Sequence, residues 1–405
     1  MRGKRLFALA SMIGFTGALT SSAGQRVDDH RVQRLLDRAV VIDLHSDTTQ
    51  RILEEGIDLA KRYDDGQVDI PRMREGGVTA MFFATNPNSR RLTPLESIRR
   101  ALEEIDAVRL EVARHPADLV LATTADEIER AKHQGKIAIL IGIEGGHVID
   151  SSTAVLRSLY ELGARYMTLT HFTHTPWADS SGEPPRSHGL TDEGKAIVRE
   201  MNRLGMLVDI SHVSDETFFD ALEASEAPVI ASHSSARKFS EHPRNLSDEM
   251  LAALAKNGGV VHINYYNPYL DEDYRLRSTE ARDLDDRAAA VAADNADDPK
   301  RLAVEIRKVN AERIARFGRV SFDRLLDHFD HAVRVAGIDH VGLGSDFDGV
   351  GDLLPEGMED VSKIPNLVRG LMERGYSDED IEKVLGQNTL RAMREVEATA
   401  RAKQR

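Results

Sequence analysis

The chain has 405 residues, 41% of them hydrophobic and 30% charged, with a formal net charge of −14. This composition is that of a globular protein able to bury a large core, and the negative balance without a basic stripe argues against a nucleic-acid partner. There is no cysteine, which excludes disulfides, thiolate metal sites and thiol nucleophiles, so any metal must be held by histidine and carboxylates.

In chain order, the first element is a leader. Arg2, Lys4 and Arg5 precede the apolar run LFALASMIGFTGALT, and Ser21, Ser22 and Ala23 follow it. A positive segment, an apolar segment and small residues in that order predict a signal peptide over 1–23 and an exported protein, periplasmic or secreted. A retained short anchor is the alternative, against which the run is brief for a span. No later stretch is apolar enough to span a bilayer. The remainder, 24–405, reads as one catalytic domain.

After an amphipathic helix, DDHRVQRLLDRA, eight apolar runs lie near 40–46, 78–85, 137–143, 166–171, 205–211, 228–233, 258–265 and 340–345. Helical patterns such as SIRRALEEIDAVRLEVARH and DEGKAIVREMNRLG separate them. Strands alternating with helices predict parallel pairing through right-handed crossovers, and eight repeats predict an α/β fold closed as a (β/α)8 TIM barrel. Gly163, Gly205, Gly258 and Gly337 stand just before a strand, where a left-handed helix cap is required. The stretch 270–318 breaks this rhythm, being charged, alanine-rich and helical in propensity. It is expected to be a solvated helical insertion on the C-terminal face of the barrel, with a lid or a subunit contact as the other role. Ser377 and Asp380 resemble a capping box opening the last helix, DEDIEKVLGQNTLRAMREVEA.

Ligand-type residues recur where these strands stop, the rim at which α/β barrels carry their chemistry. His45 and Asp47 end the first strand and, two residues apart, can face one metal. Asp43, two positions back, is expected to accept from a ligand imidazole. Glu144 ends the third strand and can bridge two cations, with His212 and His233, on the fifth and sixth, completing a second site. The glycines after Glu144 allow close approach of backbone to a ligand. Nitrogen and oxygen donors without sulfur suit Zn²⁺, Mn²⁺ or Fe²⁺. His147 is read as a hydrogen-bonded loop histidine, with ligation as the alternative, and His174 as a loop residue. Asp346, ending the eighth strand opposite this pair, is the expected general base and acid for a bridging water, with Asp348 tuning its loop. His171, after the fourth strand, could stabilise an oxyanion. Arg244, in EHPRNLS, is either a clamp for a substrate carboxylate or part of a surface salt bridge.

Seven segments in order, VIDLHSD, VDIPRMREGGVTAMFFA, GIEGGH, RYMTLTHFTHTPWADS, VDISHVS, VIASHSSAR with HPRNL, and HVGLGSDFDG, run from about 35 to 395. Together they resemble the membrane (renal) dipeptidase family, peptidase family M19, of dinuclear zinc hydrolases. The resemblance implies an amidohydrolase-type barrel holding two Zn²⁺ per chain, one on His45, Asp47 and Glu144 and the other on Glu144, His212 and His233. It implies Asp346 as proton shuttle, His171 as donor to the scissile carbonyl oxygen, and Arg244 as partner of the substrate's C-terminal carboxylate. The last of these decides between the two readings of Arg244. The expected activity is hydrolysis of dipeptides, including those with a D-residue at the C-terminal position, by attack of a metal-bridging hydroxide. The alternatives are hydrolysis of other small amides, lactams or esters, and a non-catalytic barrel. A dipeptide is the expected partner, with no membrane anchor once the leader is removed, and the insertion leaves room for a homodimer. Vertebrate relatives carry disulfides and a glycolipid anchor, whereas this chain has no cysteine and ends ATARAKQR.

Overall fold

Nine parallel strands organise the computed structural model, which describes residues 27–295 and 298–404. The leader read at 1–23 lies outside the described residues. The strands are β1 (Ile42–Ser46), β2 (Ala80–Thr85), β3 (Leu119–Leu121), β4 (Ile137–Ile143), β5 (Ala164–Thr168), β6 (Leu207–Asp209), β7 (Ile230–Ala231), β8 (Val260–Ile263) and β9 (Val341–Leu343). Pairing of β2 with both β1 and β4 closes the circle β1-β2-β4-β5-β6-β7-β8-β9 into an eight-strand barrel, as the alternation of strands and helices predicts. The ninth strand, β3, stands outside the circle and pairs only with the start of β4. It was not among the expected strands, because three residues with one buried side chain are too few to show a period.

The barrel strands are apolar on both faces, as a buried parallel sheet requires. Ile42, Leu44, Phe82, Leu140, Tyr166, Leu207 and Ile230 form one buried cluster, joined by Leu390, Met393 and Val396 of the C-terminal helix Asn388–Lys403. The alternate residues Val41, Met81, Phe83, Ile139, Ile141 and Met167 belong to a second, larger cluster together with residues of the surrounding helices. The cap positions match the sequence pattern: Gly163, Gly205, Gly258 and Gly337 all have positive φ, and the Ser377–Asp380 capping box is present.

The helix that follows this box departs from the expected single run. It extends over Asp378–Glu382, passes through a π-helical turn at Lys383–Gln387, and continues as Asn388–Lys403. That turn presses Gly386 against β1, so that a Cβ there would run into the Val40 carbonyl oxygen. Close approach, not turn conformation, is what requires glycine.

The 270–318 stretch is helical, as Glu272–Thr279, Arg282–Asp294 and Pro299–Phe317, but it is not merely a solvated excursion. Ala281, Leu284 and Val309 give it a small core of its own, and Leu302, Ile306, Asn310 and Arg313 line the cavity at the barrel mouth. It docks on the barrel through charge: Arg307 lies 2.8 Å from Asp65 and 3.7 Å from Glu55, and both carboxylates also hold Arg51. Composition concealed this, because a helix rich in paired charges reads the same whether or not one face is reserved for a cavity. Among the described residues, no helix is long and apolar enough to cross a membrane.

Gly386→Ala is expected to lower stability by roughly 1–3 kcal/mol, because backbone rather than a flexible side chain occupies the space its Cβ needs. A denaturation midpoint equal to that of the parent protein would rule out the tight contact with Val40.

Candidate metal centre and substrate cavity

The predicted ligand residues converge at one end of the barrel, at or just beyond the last ladder bonds. His45 lies within β1, Asp47 and Glu144 directly follow β1 and β4, and His233 stands two residues past β7. His171, His212 and Asp346 each stand three residues past β5, β6 and β9. His212 and Asp346 have φ of 67° and 64°. Left-handed backbone at non-glycine residues is uncommon and concentrates at functional sites.

Glu144 is the hub. Its Oε1 lies 3.0 Å from His212 Nε2, 3.2 Å from His233 Nε2, 3.6 Å from His45 Nε2 and 3.8 Å from His171 Nε2. The Nε2 atoms of His212 and His233 are 2.9 Å apart. His45 Nε2 lies 3.8 Å from Asp47 Oδ1 and 3.9 Å from Asp346 Oδ1. All seven residues are buried.

Two ring orientations are set from behind. Asp209 Oδ2 accepts from Thr168 Oγ1 and from Ser232 Oγ, at 2.5 and 2.6 Å, and its Oδ1 accepts the backbone N–H groups of Ser211 and Ser232. Ser232 donates to this carboxylate, so its oxygen accepts from His233 Nδ1 at 2.8 Å, which leaves the His233 Nε2 lone pair facing Glu144. His45 Nδ1 meets Tyr166 Oη at 2.8 Å, turning its Nε2 to the centre. That Nε2 and Glu144 Oε2 are buried with no hydrogen-bond partner.

Burial dominates the electrostatics. It pushes the carboxyls of Asp47, Glu144 and Asp346 above their ordinary range, and mutual repulsion adds to this for Asp47 and Glu144. The same burial takes His45 down to about 3 and holds His171, His212 and His233 well below the usual imidazole value. The cluster thus offers neutral imidazoles, the His233 lone pair among them turned inward, and carboxylates short of positive charge. This donor set fits divalent cations bound through nitrogen and oxygen. Within this cluster three groupings have ligand atoms within 4.8 Å of one another: His45, Glu144 and His233; His45, Asp47 and Asp346; and Glu144, His171 and His212.

Arg244 is buried rather than part of a surface salt bridge. Its Nη2 donates to the His233 carbonyl at 3.0 Å and its Nη1 to Ser234 Oγ at 3.3 Å, while Nε is buried with no partner. The guanidinium lies 5.4 Å from the Tyr269 ring centroid. These residues open on a cavity of about 930 Å³.

Of the other expectations, that for Asp43 is corrected, while the loop roles of His147, His174 and Asp348 agree with the structure. Asp43 does not support a ligand imidazole: it accepts the backbone N–H groups of Ser345 and His45 at 3.0 and 3.3 Å. A register shift in β1 between Asp43 and Ser46 breaks the alternation on which that expectation rested, and Tyr166 takes the role. The glycines after Glu144 pack closely on side chains, as a Cβ on Gly146 would meet Trp177 and one on Gly145 the His147 ring. His147 bonds the Pro87 carbonyl at 2.9 Å and His174 that of Pro184 at 2.8 Å, so both are loop histidines. Asp348 accepts from Thr48 Oγ1 and Gln67 N and tunes its loop.

The sequence reading missed Tyr166, Asp209 with Ser232, and Asn264, whose Nδ2 donates to Asp346 Oδ2 at 2.8 Å. Asn264 directly follows β8, the same strand-end position that the candidate His, Asp and Glu residues occupy, so that position is its signal in the sequence.

A closed parallel barrel with an imidazole–carboxylate cluster at its rim defines the class of metal-dependent barrel hydrolases. The chain belongs to the membrane dipeptidase family, peptidase family M19, whose model matches residues 29–405. It is a metallo-dipeptidase hydrolase. The chain is 37% identical over 392 residues to the uncharacterized dipeptidase C965.12 of Schizosaccharomyces pombe, covering 91% of this chain and 83% of that protein. The structure is similar to the probable dipeptidase PvdM from Pseudomonas aeruginosa, with TM-score 0.75 and 25% identity over 92% of this chain and 99% of that one. It is also similar to the dipeptidase AC, a metallopeptidase of family M19, with TM-score 0.72 and 25% identity over 88% and 98% of the two chains.

Removing metal should destabilise the protein in a pH-dependent way. A carboxyl raised by burial keeps its proton to higher pH, and the metal-free fold loses stability as pH rises through that group's folded-state ionisation. A cation displaces those protons, so its binding strengthens over the same interval. The difference in Tm between metal-loaded and chelator-treated protein is expected to widen by about 5 °C or more from about pH 5 to about pH 8. A difference that is constant or shrinks would contradict this account of the buried charge.

Proposed function

We propose that this chain is a dinuclear dipeptidase using Zn²⁺, with one ion on His45, Asp47 and Glu144 and the other on Glu144, His212 and His233. The observation that carries this is the convergence of imidazole nitrogens on one buried carboxylate oxygen, Glu144 Oε1. Two such cations would polarise the scissile carbonyl and acidify the attacking water. Asp346 accepts a proton from that water and returns it to the leaving nitrogen. Asn264, bonded to its Oδ2, leaves Oδ1 free for this exchange. His171, kept neutral by burial, donates from Nε2 to the carbonyl oxygen as that oxygen gains charge. Arg244, with Nε unbonded, clamps the substrate's C-terminal carboxylate. Such a clamp is indifferent to the configuration of the α-carbon, which supports cleavage of L-Xaa-D-Xaa dipeptides as well as L,L ones. Export, directed by the leader over 1–23, belongs to the same proposal, and N-terminal sequencing of the mature protein after cell fractionation tests it. Metal analysis combined with a panel of L,L- and L,D-dipeptides tests the reading as a whole.

Asp346→Asn is expected to retain two metals per chain and to lower kcat by roughly 10²-fold or more, because it removes proton transfer rather than a ligand. Loss of metal, or a kcat near the parent value, speaks against the role.

Amidating a dipeptide's C-terminus is expected to cost about 1.5–3 kcal/mol in kcat/KM by deleting a charge-assisted contact. Arg244→Ala should cost much the same on the free acid and little more on the amide, since both changes delete one interaction. Equal rates on acid and amide would instead favour a broader amidase.

A further inference from the structure

Six arginines line the cavity: Arg51, Arg90, Arg244, Arg275, Arg307 and Arg313. Four of them are held by carboxylates. Arg51 and Arg307 share Glu55 and Asp65, Arg275 pairs with Glu272, and Arg313 with Asp285. Among the described residues, Arg244 and Arg90 have no carboxylate partner. They stand at opposite ends of the site. Arg244 is on the loop after β7 and Arg90 on the loop after β2, and these strands are diametrically opposed in the eight-strand circle. The Glu144 cluster lies between them.

The Arg90 guanidinium is placed 4.7 Å from the centroid of the Phe172 ring, next in sequence to His171. Stacking on an aromatic face orients the group and leaves its in-plane N–H donors open to a ligand. A dipeptide held at Arg244 with its scissile carbonyl over the cluster directs its N-terminal residue away from β7, toward the β2 rim. The other long cations and anions there are already satisfied, Glu54 by Arg100 and Arg51 by its two carboxylates.

We propose that Arg90 is a specificity residue that receives an anionic side chain on the N-terminal residue of the dipeptide, so that aspartyl and glutamyl dipeptides are the favoured substrate class. This rests on the reading of Arg244 as the clamp for the C-terminal carboxylate. The unpartnered cation recognises the charge, and the Phe172 face carries the methylene stem beside it.

The test uses the metal-loaded full chain and compares kcat/KM for L-Glu-L-Ala, L-Gln-L-Ala and L-Lys-L-Ala. The parent protein is expected to favour Glu over Gln by about tenfold, with Lys poorest, and the preference should shrink at high salt because the rim is open to solvent. In Arg90→Gln the Glu-to-Gln ratio falls toward 1. In Arg90→Glu the order reverses, with the lysyl dipeptide best. A parent ratio near 1, or a preference that survives Arg90→Gln, overturns the proposal while leaving the dipeptidase reading intact. Failure to cleave any of the three would instead strike the clamp reading on which it rests.

Discussion

The burial of Glu144 among imidazoles is the constraint from which the rest of the site follows. Its oxygen lies within 3.0–3.8 Å of four imidazole nitrogens, with Asp47 and Asp346 close to the same group. Carboxylates taken out of water carry a penalty that only opposite charge or several hydrogen bonds can offset. Arg244 supplies one charge, and its field lowers the Glu144 and Asp346 carboxyls. One guanidinium cannot neutralise three carboxylates, so the barrel mouth is built around a deficit of positive charge. The barrel makes such a deficit sustainable, because eight strands fix the donors in place.

Tautomers show how far that fixing extends. The Asp209 carboxylate is saturated by four donors, so Ser232 is committed to donating and His233 to offering its inner lone pair. Tyr166 Oη holds the orientation of the His45 ring through Nδ1, and the Tyr166 ring packs where a Cβ on Gly142 would stand. The position of that glycine is therefore linked to the orientation of an imidazole on β1 through one phenol. Partners of this kind are what keep a metal site in one geometry.

The candidate site residues were legible in the sequence because the barrel writes them in a recognisable place, as His, Asp or Glu ending an apolar run. His45, Asp47, Glu144, His212, His233 and Asp346 could all be found this way, and their order along the chain carried the family resemblance. What stayed hidden depends on pairing rather than on position. Tyr166 sits in mid-strand and reads as a core aromatic; Asp209 reads as one more strand-end acid; Asn264 carries a neutral amide, which reads as a turn residue. The Asp43 expectation failed on a single register shift in β1, which no alternation pattern can reveal. The role of the 270–318 stretch was hidden for another reason. Its charges pair within the insertion and with the loop after β1, and only the fold shows that Leu302 and Ile306 turn toward the cavity.

The left-handed backbone at His212 and Asp346 connects local strain to this design. For non-glycine residues that conformation costs on the order of 1–2 kcal/mol. Both residues stand three positions beyond the last paired residue of their strands. Continuing in extended conformation would carry a side chain out over the helical ring. A single left-handed residue turns the chain back, so that His212 reaches Glu144 and Asp346 lies beside His45 of the neighbouring strand. Surrounding bonds hold the turns closed. Ser181 N and Thr170 Oγ1 donate to the His212 carbonyl, Asp346 N donates to the His45 carbonyl, and Gly349 N donates to that of Asp346. At these two strand ends the strain is offset by bonds from the loops between strands and helices, and it aims inward two side chains that the barrel ladder alone could not.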